Sequence, residues 1–325
     1  MAEYKIRYAN PHFDITDEDL EEIREILTSG WVSTGKHVLE LEENFKKLSG
    51  VKYAVATTSA SQALVMAVKA LGWKNMKVAL PSFTWPSTYY AIEGLAGIEP
   101  VFTDIDPETW LIDLKSLKKN NKKFDAVISV DLFGNQSFID TDKPVLYDAA
   151  HAFGLPRLGK RGLVEIVSLS FSKVITACEG GIVLTNDEKL SEDVRYLRRV
   201  TSRMSEINAY LCNKAVKSKE KYLGRRKEIV GLYQKYLKIP YANQRIPEAT
   251  NYSVFSILLP SHKDRQKIVR AFDKNKIEVK IYHDPLVAGL PVTDDIYSRT
   301  IALPVNYYFK DQVPMLCDLI NKALA

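Results

Sequence analysis

Between Val51 and Thr185 the sequence keeps returning to one unit, a short apolar run followed by a helix-forming or polar stretch, and that rhythm narrows the folds open to the chain. Candidate strands fall at residues 53–57, 77–80, 99–103, 125–130, 144–147 and 165–170, with a short one at 182–185. Helical spacing of apolar residues covers 60–71 and 86–95 between them. Strands that are apolar throughout, rather than on alternate residues, are covered on both faces, and their alternation with helices predicts a largely parallel α/β sheet. Ligands of such sheets sit outside the carboxyl ends of the strands. The residues that follow each apolar run are therefore where chemistry is to be sought.

Two of them stand out. Asp148 follows Pro144-Val145-Leu146-Tyr147, so its carboxylate is expected at the end of a buried strand. Lys173 follows the run from Ile166 to Phe171 and precedes Glu179-Gly180-Gly181, where small residues permit close backbone approach. An amine and a carboxylate on neighbouring strand ends meet the two needs of pyridoxal 5′-phosphate (PLP), a lysine for the Schiff base and an acid to keep the pyridine nitrogen protonated. Taken alone, such a pair is far more often an ion pair at a sheet edge. Ser59-Ala60-Ser61 lies between the run Ala54–Thr57 and a helix with apolar Leu64, Val65, Val68 and Leu71. Such a strand-to-helix turn presents amides and hydroxyls to an anion, or simply a serine cap.

The surrounding blocks decide between these readings. SGWVSTGKHVLELEENF (29–45), VKYAVATTSASQAL (51–64), LPSFTWPSTYYAI (80–92) and VFTDIDPETWLID (101–113) are followed by YDAAHAFG, KVITACEGGIVLTND, RMSEINA (203–209) and RTIALPVNYYFKDQV (299–313). In this order and spacing they resemble the DegT/StrS family of PLP-dependent nucleotide-sugar aminotransferases, nearly end to end. The resemblance implies a PLP-dependent transferase of fold type I. Its mostly parallel central sheet carries helices on both faces, with a large PLP-binding domain and N-terminal segment over 1–200 and a smaller C-terminal α+β domain over 201–325.

It further implies that Lys173 bonds covalently to the cofactor, Asp148 faces the pyridinium nitrogen, and His151 lies near the ring hydroxyl. Trp85 takes the place of the aromatic that stacks on the ring, although a lone tryptophan also suits a core. Ser59, Ala60, Ser61 and Ser168 take the places that hold the phosphate. The resemblance sets the Trp31–Gly35 loop, with Thr34, by the site mouth, where an ordinary interhelical loop is the plainer reading. Arg203 is the candidate for a phosphate of the substrate or of the partner subunit's site, since guanidinium forks suit phosphate. His283, in His283-Asp284-Pro285-Leu286, matches a Pro-rich segment with its histidine displaced, and its role stays open. The chain departs from the family pattern in two places. The connection Arg198–Arg203 is shorter than that of its relatives, and Cys178 stands where they carry glycine.

Composition sets bounds on partners. Lys and Arg number 45 against 40 Asp and Glu, and a net +5 over 325 residues is too small to imply a nucleic-acid partner. Cys178, Cys212 and Cys317 have no metal-ligand spacing and cannot close a disulfide set, which points to a reducing cytoplasm. The opening residues lack the apolar core of a signal peptide, and no apolar run reaches membrane-spanning length. No metal is expected: Asp104 and Asp106 precede or flank Pro107 and read as turn formers, and Asp131 as shaping its loop.

Residues 1–13 read as extended, and Thr16 caps a helix with the stripe Leu20, Ile23, Ile26 and Leu27. A long helical stretch covers 205–237, with Gly224 as its weak point and a basic face including Lys214, Lys217, Lys219, Lys221, Arg225, Arg226 and Lys227 that reads as solvated. Beyond it a strand is expected at 252–259, a helix at 262–274, a strand at 276–281 and a last helix, holding Pro314 in its first turn, up to residue 323.

The expected activity is amino transfer from an amino acid, glutamate by resemblance, to a nucleotide-linked keto-sugar, in a homodimer. A sugar dehydratase of the same family is the nearest rival, but those relatives carry His in place of the lysine. A PLP-binding regulator without turnover is the rival from another class, and a nicotinamide dehydrogenase is excluded by the lack of a GxGxxG turn.

Overall fold

In the computed structural model, residues 4–9, 13–94, 97–119 and 123–325 are described. Seven apolar runs pair into one sheet: β1 (Tyr53–Thr57), β2 (Met76–Pro81), β3 (Ile98–Thr103), β4 (Ala126–Val130), β5 (Val145–Asp148), β6 (Val164–Ser168) and β7 (Gly181–Thr185). Their order across the sheet is β1-β7-β6-β5-β4-β2-β3. Every pair is parallel except those made by β7, which runs antiparallel to both β6 and β1. That reversal has a consequence for the site. The amino end of β7 meets the carboxyl ends of its neighbours, with Gly181 in register with Thr57 on one side and Ser168 on the other.

The strands alternate faces although they are apolar on both. Ala54, Ala56, Val167, Ile182 and Leu184 pack beneath α2 (Lys36–Ser49) and α7 (Glu206–Lys217). Val55, Val78, Leu80, Ile128, Leu146, Ile166 and Val183 pack on the opposite face beneath α3 (Ala60–Ala70) and α6 (Glu188–Thr201). Both faces are thus dry, as continuous apolar strands require. Ahead of this body, α1 (Asp17–Thr28) begins at Thr16, whose hydroxyl accepts from Asp19 N while its own amide donates to Asp19 Oδ2, a reciprocal cap.

Past residue 218 a separate core forms. A two-stranded antiparallel sheet of β8 (Phe255–Leu258) and β9 (Thr300–Leu303) packs with α8 (Lys219–Tyr236), α9 (His262–Lys274) and α11 (Val313–Leu324). Its buried residues include Ile229, Tyr233, Ile257, Ile268, Phe272, Ile301 and Leu316.

Several expectations change. The long helix breaks at Ser218, between α7 and α8, and Gly224 lies inside α8. A helix glycine costs only about 1 kcal/mol, and burial of Ile229, Val230 and Tyr233 on the same helix offsets it. The 276–281 segment is not a strand: Ile277 bridges Ile6 and Lys280 bridges Ala302, so the segment changes partner before a ladder can form. The 86–95 helix shortens to α4 (Ser87–Tyr90) followed by turns. Its residue 95, and residues 1–3 and 10–12 of the extended N-terminal segment, lie outside the described residues. Helices α2, α5 (Leu114–Lys119), α6 and α10 (Pro291–Arg299) have no sequence-based assignment. Asp104 caps α10 by accepting from the amides of Val292 and Thr293, and Asp106 accepts from the amides of Glu108 and Thr109. Asp131 pairs with buried Arg161 through both of its carboxylate oxygens. These three acids are accounted for by turns, a helix cap and an ion pair.

Candidate active site

Asp148 ends β5 and is buried. Its Oδ2 accepts from Thr88 Oγ1 at 2.8 Å and its Oδ1 from the amide of Ala150 at 3.2 Å. Both donors are neutral. Burial raises its pKa, partly offset by those bonds and by the charge of Lys173. A buried carboxylate in this position gains most from a cation placed against it.

Lys173 is carried on the turn after β6, and its Nζ lies 2.7 Å from His151 Nε2. The other ring nitrogen, Nδ1, accepts from the amide of Phe133 at 3.1 Å, so it bears no proton. The imidazole proton therefore sits on Nε2 and points at the lysine, whose nitrogen must then accept with a free lone pair. Burial pulls the lysine pKa down to about 8, with a further push from the Arg226 charge. Burial also holds His151 well below its ordinary value. Hydrogen bonding and desolvation thus both favour the neutral, nucleophilic form of the amine and enlarge its share over that of an ordinary lysine.

The phosphate-sized cradle lies along the rim that β7 creates. Ser59 caps α3, its Oγ accepting from Gln62 N at 3.2 Å, which leaves the first-turn amides of Ala60 and Ser61 at a helix amino end. Gly181 packs against that turn so closely that a Cβ there would fall 2.5 Å from Ala60 N and 2.6 Å from the Ser59 carbonyl carbon. Ser168 closes β6 opposite Gly181, its Oγ accepting from Ser170 N at 3.4 Å. Trp85 is 58% exposed and makes a T-shaped pair with the buried His283, ring centroids 6.0 Å apart. His283 also packs on Phe83 and Phe133, and burial lowers its pKa to about 3, which keeps it neutral.

The loop that carries Thr34 packs against the segment that follows Arg203. The Thr34 amide donates to the carbonyl of Met204, and Ser33 bridges Ser205. Glu206 anchors this loop by accepting from the amides of Gly35, His37 and Val38. Ser202, next to exposed Arg203, hydroxyl-bonds Thr58, one residue before the Ser59 turn. Among the described residues no hydrogen bond or ion pair joins Thr34 or Arg203 to Lys173, Asp148 or His151. Cys178 has a φ of +63°, which explains why glycine suits that turn.

Sequence reasoning missed Thr88 and misplaced Arg226. Arg226 was read with the solvated basic face, yet its guanidinium donates to the carbonyls of Lys173 (2.9 Å), Ser172 (3.3 Å), Ser253 (2.8 Å) and Tyr252 (3.1 Å). Asn251, beside that second pair, donates to the carbonyls of His151 and Phe153. Arg226 and Asn251 therefore hold the lysine turn against the histidine turn. The signal available was spacing: Arg226, Ile229, Val230 and Tyr233 share one helix face.

An amine of lowered pKa, a buried acid, a helix amino end with a glycine-lined approach and an exposed indole together fit PLP. The chain belongs to the DegT/DnrJ/EryC1/StrS aminotransferase family, whose sequence model matches residues 13–314. It is 25% identical to GDP-perosamine synthase of Escherichia coli O157:H7 over 350 residues, covering 95% of this chain and 96% of that protein. Its fold matches DesI in the presence of its TDP-sugar product with a TM-score of 0.88 at 24% identity, covering 99% of this chain and 93% of that one. It also matches the E. coli GDP-4-keto-6-deoxy-D-mannose-3-dehydratase with bound hydrated PLP, with a TM-score of 0.83 at 20% identity, covering 98% and 100%. The protein is thus a PLP-dependent aminotransferase by family.

Proposed function

We propose that this aminotransferase moves an amino group from an amino acid, glutamate in the first instance, to the carbonyl carbon of a nucleotide-linked keto-sugar. The observation that carries the reading is the Lys173 amine, its pKa lowered by burial and its Nζ against His151 Nε2, beside a buried Asp148. The named relatives that act on nucleotide sugars give the substrate class. When bound, PLP supplies an electron sink that allows nitrogen to leave one carbon and join another.

The chain's residues do the rest. Asp148, oriented by Thr88, would hold a proton on the pyridine nitrogen. Lys173 Nζ would bond to the cofactor and then carry a proton between substrate carbon and cofactor carbon, a task suited to a pKa near the working pH. His151 would lie by the ring hydroxyl and Trp85 against the ring face. Ser59, Ala60, Ser61 and Ser168 would take the phosphate, with Thr34, Arg203 and His283 toward substrate or the partner subunit's phosphate. A dehydratase is disfavoured because the lysine that such relatives replace is present.

The same reading places the protein in the cytoplasm as a homodimer serving polysaccharide biosynthesis. No helix of the described residues is long and apolar enough to cross a membrane. We propose the division into 1–200 and a smaller C-terminal domain over 201–325, supported by the separate core around β8 and β9; α7, however, packs on α2. The test is transfer of ¹⁵N from labelled glutamate to a panel of nucleotide keto-sugars, read by mass spectrometry. A labelled amino-sugar that disappears in Lys173→Ala is expected. Label transfer that survives in that variant would refute the assignment, and loss of water from the sugar without label would favour the dehydratase.

A further inference from the structure

A cleft lined in part by Lys173 opens between α8, the 171–176 turn and the segment after β9. Phe171, Tyr222 and Tyr307 form its apolar walls, and Arg225, Arg226 and Asn306 supply its polar ones. Two donors on those walls are buried and make no hydrogen bond: Arg225 Nη1 and Asn306 Nδ2. Arg225 is fixed in place, its guanidinium 4.6 Å from the Tyr307 ring centroid and 5.7 Å from that of Tyr222. Its Nη1 stands 3.5 Å from Asp14 Oδ2, but that carboxylate is half-exposed and bonded at 2.5 Å by Lys221 Nζ. Asn306 is oriented too, because its Oδ1 accepts from Tyr308 N at 3.0 Å, which turns the amide nitrogen into the cleft. Buried donors left without acceptors are costly, at about 1–3 kcal/mol each. Two of them on elements that flank the cleft, with a second guanidinium beside them, call for an acceptor rich in negative charge.

We propose that this cleft is an oxyanion subsite, in which Arg225 and Asn306 bind the diphosphate of the substrate's nucleotide. The proposal rests on the function argued above for its choice of diphosphate, and on the two donors for the oxyanion itself. A phosphate group offers several acceptor oxygens, and a guanidinium fork suits it. The carboxylate of the amino donor offers the same chemistry, and the test separates the two sources.

The experiment is calorimetric titration of the PLP-loaded enzyme with inorganic pyrophosphate and, separately, with glutarate, in wild type, Arg225→Met and Asn306→Asp. Asn306→Asp is close to isosteric, keeps the acceptor for Tyr308 N and replaces a donor by a negative charge, so it holds even if Arg225→Met folds poorly. Pyrophosphate affinity should fall by about 10- to 100-fold in each variant, with the cofactor absorption spectrum unchanged. Loss of glutarate affinity instead would keep the oxyanion subsite and assign it to the donor's carboxylate. Unchanged affinity for both probes in both variants, or no binding of either probe to wild type, would overturn the proposal. The two readings fail separately. An enzyme that transfers label to a nucleotide keto-sugar but shows no variant effect loses only the subsite, and the reverse result loses only the substrate assignment.

Discussion

Replacing Arg226 by methionine removes a buried guanidinium that donates to four main-chain carbonyls on two turns. Two effects follow, and they can be separated. The first is mechanical. Leaving buried carbonyls without their donor costs about 1–3 kcal/mol each, a large share of a stability that is typically about 5–15 kcal/mol. The second is electrostatic. With a pKa of about 8, about one Lys173 amine in ten is neutral at pH 7, against about one in 2,500 for an ordinary lysine near 10.4. Removing a positive charge raises that pKa and thins the neutral fraction.

The assay is the rate at which the cofactor-free protein captures PLP, followed by absorbance across pH, together with thermal melting. Wild type should show an inflection near 8, and Arg226→Met an inflection at higher pH with a lower melting temperature. Arg226→Lys keeps the charge but loses the planar fork, so it should retain the low inflection while melting early. An inflection that stays near 8 in Arg226→Met would refute the electrostatic role and leave burial as the sole cause. An unchanged melting temperature would refute the clamp.

Other outcomes follow from single contacts. Gly181→Ala places a Cβ 2.5 Å from Ala60 N, so the Ser59 turn must shift; the variant should lose PLP on dialysis that wild type survives. Cys178→Gly relieves a left-handed backbone and should raise stability by about 0.5–1 kcal/mol once glycine's unfolded-state entropy is subtracted, and a lowered melting temperature would contradict this. Asp148→Asn should cripple amino transfer yet stabilise the cofactor-free protein at pH 7. Burial raises the Asp148 pKa in the fold, so its contribution favours folding at low pH and is lost as pH rises through the folded value. The gain on substitution should therefore shrink toward pH 4, and a gain independent of pH would count against a buried charge as its source.

The candidate site was legible where local pattern suffices. Apolar runs ending at Asp148 and before Lys173 required no tertiary information, because strand burial is written in consecutive residues and the strand end fixes where the next side chain emerges. The 276–281 segment shows the limit of that method. Its apolar residues were real, but Ile277 and Lys280 face different partners, and pairing is decided by what lies alongside.

What the sequence by itself determined, then, is the alternation that builds the sheet and the identity of the residues at its carboxyl edge, since both depend on spacing along the chain. Tertiary structure alone decided how those residues are tuned. Thr88 reaches Asp148 across 60 positions and Arg226 reaches the Lys173 carbonyl across 53, while the protonation of His151 is set by the amide of Phe133. Protonation and orientation depend on distance in space and on exclusion of water, and neither quantity exists until the chain has folded.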